Sequence, residues 1–250
     1  MPDPDSSPRS LWRRPLDSYH GLTMRCAPGT HEAALKLLRE SNISPRPVLD
    51  LASGSGALLA RLIDAGFADV TAVELDRGKF GLPGVTPLPL DLNGDFAGKI
   101  DRKFPLVTAI EIIEHLDSPR HFLQQARELL SDDGVLLLST PNVAEWVGRI
   151  KFLLTGTLRN FDDVQYRHNH HVSPLPDVQL RNLAGEIGLR VIGSATAGTF
   201  FGPLKMACLA PIWFPFRLLF GPGVLGDVNL YLLARSAPRP PITGDWTAVT

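Results

Sequence analysis

VLDLASGSG at residues 48–56 and VTAVELD at residues 70–76 are the two stretches that decide the fold of this chain. Each begins with an apolar run, and an apolar run of four residues bounded by turn signals is typical of a buried strand in a parallel sheet. The residues between them, 57–65, are good helix formers and end before Gly66, a residue suited to a helix C-terminus. The pattern therefore predicts a strand, a glycine-rich turn, a helix and a second strand.

The same alternation continues along the chain and predicts the fold class. Further strands are expected at 86–89, 106–110, 135–139, 189–193 and 230–234, and further helices at 30–39, 119–130 and 175–187. Alternating strands and helices build a doubly wound sheet. We therefore expect an α/β protein with a mostly parallel, seven-stranded, Rossmann-like sheet and a C-terminal apolar insert.

Composition limits the organisation and the partners of the chain. The 25 basic and 26 acidic residues leave a formal net charge of −1, so nucleic acid is an unlikely partner. Two distant cysteines and an N-terminus without an apolar signal region favour a cytoplasmic protein. We expect a disordered tail at 1–28, one domain at 29–237 with inserted or lid segments at 142–172 and 199–226, and a flexible tail at 238–250.

The glycine-rich turn is the first candidate site, because ligands of open α/β sheets lie at the carboxyl ends of the strands. Gly54 and Gly56 let the backbone approach a ligand closely. Glu74, at the end of the next strand, suits a ribose diol. A dinucleotide fingerprint would need a small residue at Leu59, and Asp50 would repel a pyrophosphate while suiting an ammonium. A plain tight turn remains an alternative.

These motifs resemble the first two motifs of class I S-adenosylmethionine-dependent methyltransferases. The segment FPLVTAIEIIEHLDSPRHFLQQARELLSDDGVLLLSTPN, residues 104–142, resembles the ubiquinone-biosynthesis O-methyltransferase-like branch, and the resemblance covers roughly 46–190. It implies a methyltransferase fold and S-adenosylmethionine as cofactor. The implied contacts are Asp50, Ser53, Gly54 and Gly56 at the methionine end, Glu74 at the ribose, and Asp91 with Leu92 beside the adenine. Ala52, Leu75 and Ile110 complete the residues implied to bind the cofactor. The pattern departs from the family at Ala52, usually glycine, and at Pro105, usually an acid.

A second candidate site follows the strand at 106–110. Glu111, Glu114 and His115 share one side if a helical turn begins there, and His168-Asn169-His170-His171 lies downstream. The arrangement resembles small-RNA 3′-terminal 2′-O-methyltransferases, which implies a divalent metal, Mg²⁺ or Mn²⁺, held by Glu111, Glu114, His115 and His171. A metal-free pocket with His115 as general base, and a purely structural role, are the alternatives.

The acceptor is less well defined than the methyl donor. We expect O-methylation of a small or lipid-like molecule; metal-dependent 2′-O-methylation of an RNA 3′ end and a non-catalytic cofactor-binding partner are alternatives. The apolar stretch 199–225 is too interrupted by proline to cross a bilayer. It suits peripheral contact with a membrane surface, a wall for the acceptor, a dimer contact, or ordinary packing. The oligomeric state does not follow from the sequence.

Overall fold

A six-stranded sheet forms the centre of the molecule, which a computed structural model describes over residues 17–239. The strands of this sheet are β3 (Val48–Leu51), β4 (Val70–Val73), β5 (Phe104–Ala109), β6 (Leu130–Pro141), β7 (Leu189–Ala197) and β8 (Val228–Arg235). Their order is β4-β3-β5-β6-β8-β7, and only β8 runs antiparallel to its neighbours. The predicted α/β, mostly parallel, doubly wound sheet is confirmed, with six strands instead of seven.

Helices cover both faces of this sheet. They are α1 (Thr30–Glu40), α2 (Ala57–Asp64), α3 (Pro119–Glu128), α4 (Trp146–Thr155), α5 (Asp163–Asn169), α6 (Asp177–Glu186), α7 (Pro203–Cys208) and α8 (Ala210–Phe220). All four residues of β3 are buried, because one face packs on α1 and α2 and the other on the cluster around Phe122. Burial on both faces explains why the strand sequence is apolar throughout rather than alternating.

The missing seventh strand is the one predicted at 86–89. Only Leu88 pairs there, through a single parallel bridge to Val73. Leu88 donates its N–H to Ala72 and accepts from Glu74, whereas its neighbours are Pro87 and Pro89. Pro87 and Pro89 face away from β4, where a sheet edge tolerates the missing N–H groups. The pairing ends at Leu88 because the Leu90 N–H bonds back to the Leu88 carbonyl and not to β4. The strand predicted at 86–89 is therefore reduced to a single bridge.

The N-terminal boundary also differs from the prediction. Residues 17–28 were expected to belong to a disordered tail, yet they contain a two-residue hairpin, β1 (Ser18–Tyr19) and β2 (Leu22–Thr23). Met24 follows the hairpin and is 3% exposed. The tail prediction is therefore corrected for this stretch, because an apolar side chain here has a place in the core. Residues 1–16 and 240–250 of the two predicted tails lie outside the described residues.

The predicted C-terminal insert connects β7 to β8. It contains α7, α8 and a short 3₁₀ turn at Pro222–Leu225. The Asn142 side-chain amide, just after β6, donates to the carbonyls of Gly223 (2.8 Å) and Gly226 (2.9 Å) and so joins the insert to the sheet. Nowhere in 17–239 is there a helix with the length and apolar character needed to cross a membrane.

Candidate functional site

The turn after β3 has the backbone shape that its glycines predict. Ala52, Gly54 and Gly56 all have positive φ, at 60°, 56° and 88°. A Cβ on Gly54 would meet nothing within 4 Å, so the turn presents bare backbone to an open space. A Cβ on Gly56 would lie 2.7 Å from the Cβ of Leu82, so this glycine serves close packing. Ala52, where the family has glycine, accepts the left-handed conformation with the smallest L side chain.

Glu74 ties the end of β4 to this turn. One carboxylate oxygen accepts from the Gly54 N–H at 2.8 Å and the other from the Asp76 N–H at 3.0 Å. Each oxygen retains a free lone pair. The carboxylate is thereby held beside the glycine turn in a geometry that suits two adjacent hydroxyl groups, which fits the ribose of S-adenosylmethionine.

Asp50 and Ser53 lie beneath the turn and not along its open side. Asp50 is 2% exposed, and its carboxylate accepts a hydrogen bond from the Thr108 hydroxyl at 2.6 Å. Burial raises the pKa of Asp50 to about 7, against the opposing effect of that hydrogen bond. The Ser53 hydroxyl donates to the backbone carbonyl of Asp50 at 2.9 Å. The two residues therefore brace the turn, and a cationic group above it would compensate the buried carboxylate.

The remaining residues expected to bind the cofactor are spread along the same edge of the sheet. Leu75 is 62% exposed and Leu92 is buried. Asp91 is exposed and accepts from the backbone N–H of Asn93 at 2.9 Å. Ile110, half-buried, follows β5 directly. Leu75 and Asp91 therefore offer an apolar side chain and a carboxylate at the surface, while Leu92 packs underneath.

The N-terminal hairpin reaches this turn, which the sequence reasoning missed. The Ser55 hydroxyl donates to the backbone carbonyl of Thr23 at 2.7 Å. The Leu22 side chain lies close to Gly81: a Cβ atom on Gly81 would be 3.2 Å from Leu22 Cδ2. The available signal was the pair of apolar residues Leu22 and Met24 after the turn residue Gly21. The hairpin closes one side of the cofactor turn.

Glu111 has an unusual conformation after β5. Its φ is 51°, which costs a residue with a Cβ about 1–3 kcal/mol. The Ser139 hydroxyl donates to the Glu111 carboxylate at 2.8 Å and accepts from the Glu111 N–H at 2.9 Å. One carboxylate oxygen of Glu111 is thus engaged by Ser139. The cluster of possible metal ligands among the described residues contains the other three predicted residues without Glu111, although Glu111 lies close enough to raise the pKa of Glu114.

Glu114, His115 and His171 do come together. One ligand atom from each lies within 4.8 Å of the other two, and the histidine rings meet edge-on with centroids 4.7 Å apart. Glu114 is completely buried, and neither of its carboxylate oxygens has a well-formed hydrogen bond among the described residues, although the Thr140 hydroxyl is near. Burial and the neighbouring Glu111 raise the pKa of Glu114. A buried carboxylate in this state needs a proton or a cation.

His171 is oriented as a metal-binding histidine usually is. Its Nδ1 lies 2.7 Å from the backbone carbonyl of Asn160, so this nitrogen carries the proton and Nε2 is free to coordinate. The backbone N–H groups of Val172 and Ser173 both donate to the carbonyl of Glu114 at 2.9 and 3.0 Å. These bonds bring the end of the predicted lid segment, 142–172, to the residues that follow β5. Burial lowers the pKa of both His115 and His171, which favours the neutral form of each ring.

Fold and site together define a class. The strand order reverses between β3 and β5, and the glycine turn, Glu74 and Glu114 all follow strands at the carboxyl edge beside that reversal. This is the architecture of a class I S-adenosylmethionine-dependent methyltransferase. A family model described as "Methyltransferase domain" matches residues 22–193, and the chain belongs to that family.

Curated relatives point to one branch of the family. The chain is 32% identical over 114 residues to the mitochondrial ubiquinone biosynthesis O-methyltransferase of Schizosaccharomyces pombe, a match that covers 42% of each protein. It is 31% identical over 109 residues to the ubiquinone biosynthesis O-methyltransferase of Haemophilus ducreyi, covering 39% of this chain and 46% of the relative. The chain thus matches less than half of the length of these relatives.

Solved structures agree on the fold. A SAM-dependent methyltransferase from Archaeoglobus fulgidus shares 14% identity with a TM-score of 0.56, covering 83% of this chain and 95% of its own. The magnesium protoporphyrin IX methyltransferase of Synechocystis, solved with bound SAH, shares 14% identity with a TM-score of 0.54, covering 82% and 81%. The predicted class and fold are confirmed at this level.

Proposed function

We propose that this chain transfers a methyl group from S-adenosylmethionine to a hydroxyl group of a small or lipophilic acceptor. The observation that carries the proposal is the pairing of two features at one edge of the sheet: a glycine turn tied to Glu74, and a neutral imidazole pair at His115 and His171. The names of the curated relatives support oxygen as the acceptor atom and a small molecule as the substrate.

The chain's own residues account for cofactor binding. Glu74 would accept hydrogen bonds from the ribose hydroxyls, and the bare backbone at Gly54 would border the methionine end. Asp50, whose carboxylate is buried just below, would stabilise the amino group from beneath the turn. When bound, S-adenosylmethionine supplies a methyl group activated by a positively charged sulfur. The protein's contribution is then alignment and exclusion of water.

His115 is the residue that we assign as general base. A hydroxyl acceptor must lose its proton, and a neutral imidazole at pH 7 can accept it at a ring nitrogen. Burial and the nearby His171 lower the pKa of His115, which keeps the ring unprotonated at neutral pH. The side chain is 30% exposed, so an acceptor can reach it from solvent.

The proposal is tested by supplying labelled cofactor with panels of catechols, other phenols, sugars, lipid extracts and a small RNA. The expected result is label on a phenol or a lipid extract, with release of the demethylated cofactor. Calorimetry on the same preparation must show cofactor binding. A chain that binds cofactor and methylates only the RNA would contradict the acceptor, and one that binds no cofactor would overturn the enzyme proposal.

As the alternative to His115 acting as a free base, we propose that Glu114, His115 and His171 bind a divalent cation, which would position the acceptor and help its hydroxyl group to lose the proton. The unpartnered, buried carboxylate of Glu114 supports this, since a cation would compensate its charge. Two imidazoles with one carboxylate suit Mn²⁺ better than Mg²⁺, which prefers oxygen ligands. In this arrangement Glu111 would remain bonded to Ser139 and outside the ligand set.

Measuring the bound metal distinguishes two ways of neutralising the buried Glu114 carboxylate, a bound cation and a proton. Protein dialysed against Mn²⁺ should retain about one ion per chain, and His171→Ala should lose it, while the half-buried His121, which lies outside this cluster, provides the control His121→Ala. Electron paramagnetic resonance would report imidazole coordination directly. Wild-type protein that holds no metal, with methyl transfer that survives chelation, would leave His115 as the base and overturn the cation.

A further inference from the structure

α8 is an apolar helix without a packed face. Its sequence is APIWFPFRLLF, with Arg217 as its one charged residue, yet none of its residues is buried. A helix that is apolar on all sides is normally enclosed by protein or by lipid, because its exposure to water is costly. Among the described residues nothing encloses α8, so its apolar surface calls for a partner outside the described chain.

The exposed apolar surface continues from α8 onto α4. The Arg149 guanidinium lies over the ring of Phe220 at 4.0 Å and joins the two helices. Leu153 is one turn further along α4 and projects from the same side as Arg149. We call the combined surface the apolar ridge; it comprises Phe152, Leu153 and Leu154 of α4, Leu204 of α7, and Ile212, Phe214, Leu218, Leu219 and Phe220 of α8. Exposure reaches 84% at Leu153 and 76% at Leu218.

The charged side chains of the helices that form the ridge are all basic. No aspartate or glutamate occurs between Glu186 and Asp227, and none occurs within α4. The exposed charged residue of α8 is Arg217, and α4 carries Arg149 and Lys151, of which Lys151 pairs with Asp162 outside the ridge. A second copy of the chain would bring the same surface against itself, so these cations would meet like charges without a carboxylate from either ridge. Anionic lipid headgroups, in contrast, complement a basic, apolar surface.

We propose that the apolar ridge docks on the surface of a bilayer containing anionic lipids. The helices are too short to cross, and Pro215 interrupts α8, so they would lie in the interface with apolar side chains about 5–10 Å deep. Docking itself is independent of the proposed function, whereas a role of docking in catalysis rests on that function. The insert returns to the sheet at Val228, which pairs with Pro141 at the edge of the sheet that carries the candidate site. A lipophilic acceptor could then reach the site from the bilayer.

Sedimentation of the full chain with vesicles tests the docking. Vesicles of phosphatidylcholine alone are compared with vesicles in which about a third of the lipid is phosphatidylglycerol. Wild-type protein should sediment with the anionic vesicles, and Leu218→Ser/Leu219→Ser should weaken binding by about tenfold or more, since two exposed leucines lose their apolar burial. The matched control is Val178→Ser on α6, an aliphatic residue that is 67% exposed elsewhere and should change nothing.

Arg217→Gln measures how much the positive charge of Arg217 contributes to vesicle binding, separately from the apolar side chains. It should weaken binding to anionic vesicles by about fivefold and leave binding to neutral vesicles unchanged, with the difference disappearing at high salt. Wild-type protein that binds neither vesicle, or a double variant that binds as well as wild type, overturns the proposal. So does a dimer that the double variant converts to monomer without any vesicle binding. Calorimetry with S-adenosylmethionine on the same preparations distinguishes failure of docking from failure of the proposed function.

Discussion

The cofactor side and the acceptor side of the site differ in how far apart in the chain their residues lie. Gly54 and Glu74 are hydrogen-bonded across 20 residues, within one strand-turn-helix-strand unit. On the acceptor side, the segment that carries His171 is held to the turn after β5 by contacts such as that from the Ser173 hydroxyl to the Leu116 carbonyl, across 57 residues. The link between the glycine turn and Glu74 is therefore local, although Thr108 braces Asp50 across 58 residues, whereas the histidine pair depends on side chains from two separate segments.

This difference implies that the two sides can be altered separately. The cofactor turn is fixed by positive-φ residues and by Glu74, none of which contacts the histidine pair. A substitution on one side should therefore affect one kinetic quantity and leave the other nearly unchanged. The four predictions below run from the largest expected effect to the smallest.

His115→Ala should have the largest effect. Loss of a general base lowers kcat by about 10²–10⁴-fold, while the dissociation constant for S-adenosylmethionine should change by less than about twofold. Steady-state kinetics and calorimetry measure the two quantities. His121→Ala is the matched control, because its side chain is 32% exposed against 30% for His115. If His115→Ala weakened the binding of S-adenosylmethionine as strongly as it lowers kcat, the two sides of the site would not be independent.

Glu74→Ala tests the other side. The variant loses charged hydrogen bonds to the ribose and the tie to Gly54, so the dissociation constant for S-adenosylmethionine should rise by about a hundredfold. Mn²⁺ retention, in contrast, should be unchanged. Asp76→Ala is the control. Among the described residues, the Asp76 carboxylate accepts a hydrogen bond from the Gly78 N–H and pairs with the exposed Lys79. Calorimetric affinity within about threefold of wild type for Glu74→Ala would refute the assignment.

Asp50→Asn tests the brace beneath the turn through its pH dependence. Burial raises the pKa of Asp50 to about 7, from about 4 in an unfolded chain. Between these values the folded protein holds a proton that the unfolded chain has released, so the free energy of unfolding falls as pH rises, by up to about 1.4 kcal/mol per pH unit. Above pH 7 the slope from this group vanishes.

The asparagine variant lacks that contribution. Relative to wild type, its free energy of unfolding should therefore increase as pH rises from 5 to 7 and then level off. Urea unfolding of both proteins at four pH values measures this difference, and the other titrating groups cancel because both proteins share them. A difference that does not vary with pH would show that Asp50 is ionised throughout this range.

Ser139→Ala should have the smallest effect. The Ser139 hydroxyl both donates to and accepts from Glu111, and its loss frees a residue held at positive φ. One hydrogen-bonding group is worth about 1 kcal/mol, so the free energy of unfolding, measured in urea, should fall by about that amount with cofactor affinity unchanged. Ser131→Ala, which removes an exposed serine bonded to Asp133, is the control. A change in cofactor affinity would show that Ser139 supports the cofactor side of the site and not the acceptor side.

The local part of this molecule could be predicted from the sequence, and the non-local part could not. The apolar run at 48–51 and the turn after it need only near neighbours to define them, and both predicted elements are confirmed. The strand at 86–89 was predicted from the alternation of strands and helices, which does not show that the chain bonds back on itself after Leu88. The hairpin at 18–23 carries too few residues for a periodic signal.

The candidate metal ligands illustrate the same limit. Helical spacing grouped Glu111 with Glu114 and His115, but periodicity is informative only if the backbone is helical throughout. The positive φ of Glu111 depends on Ser139, a residue of the neighbouring strand. His171, in contrast, was placed by matching flanking residues, and the structure brings it to His115. The backbone conformation of Glu111 thus depends on a residue of another strand, and the sequence around Glu111 does not show which residue that is.

The bonds of Asn142 to the insert have a mechanical consequence. Asn142, directly after β6, donates to Gly223 and Gly226, and Arg159 pairs with both Glu145, before α4, and Asp227, after the insert. These four polar bonds fasten the insert to the segments on either side of α4. A displacement of the insert would therefore move α4 as well, and with it the residues that follow β6 at the edge of the candidate site.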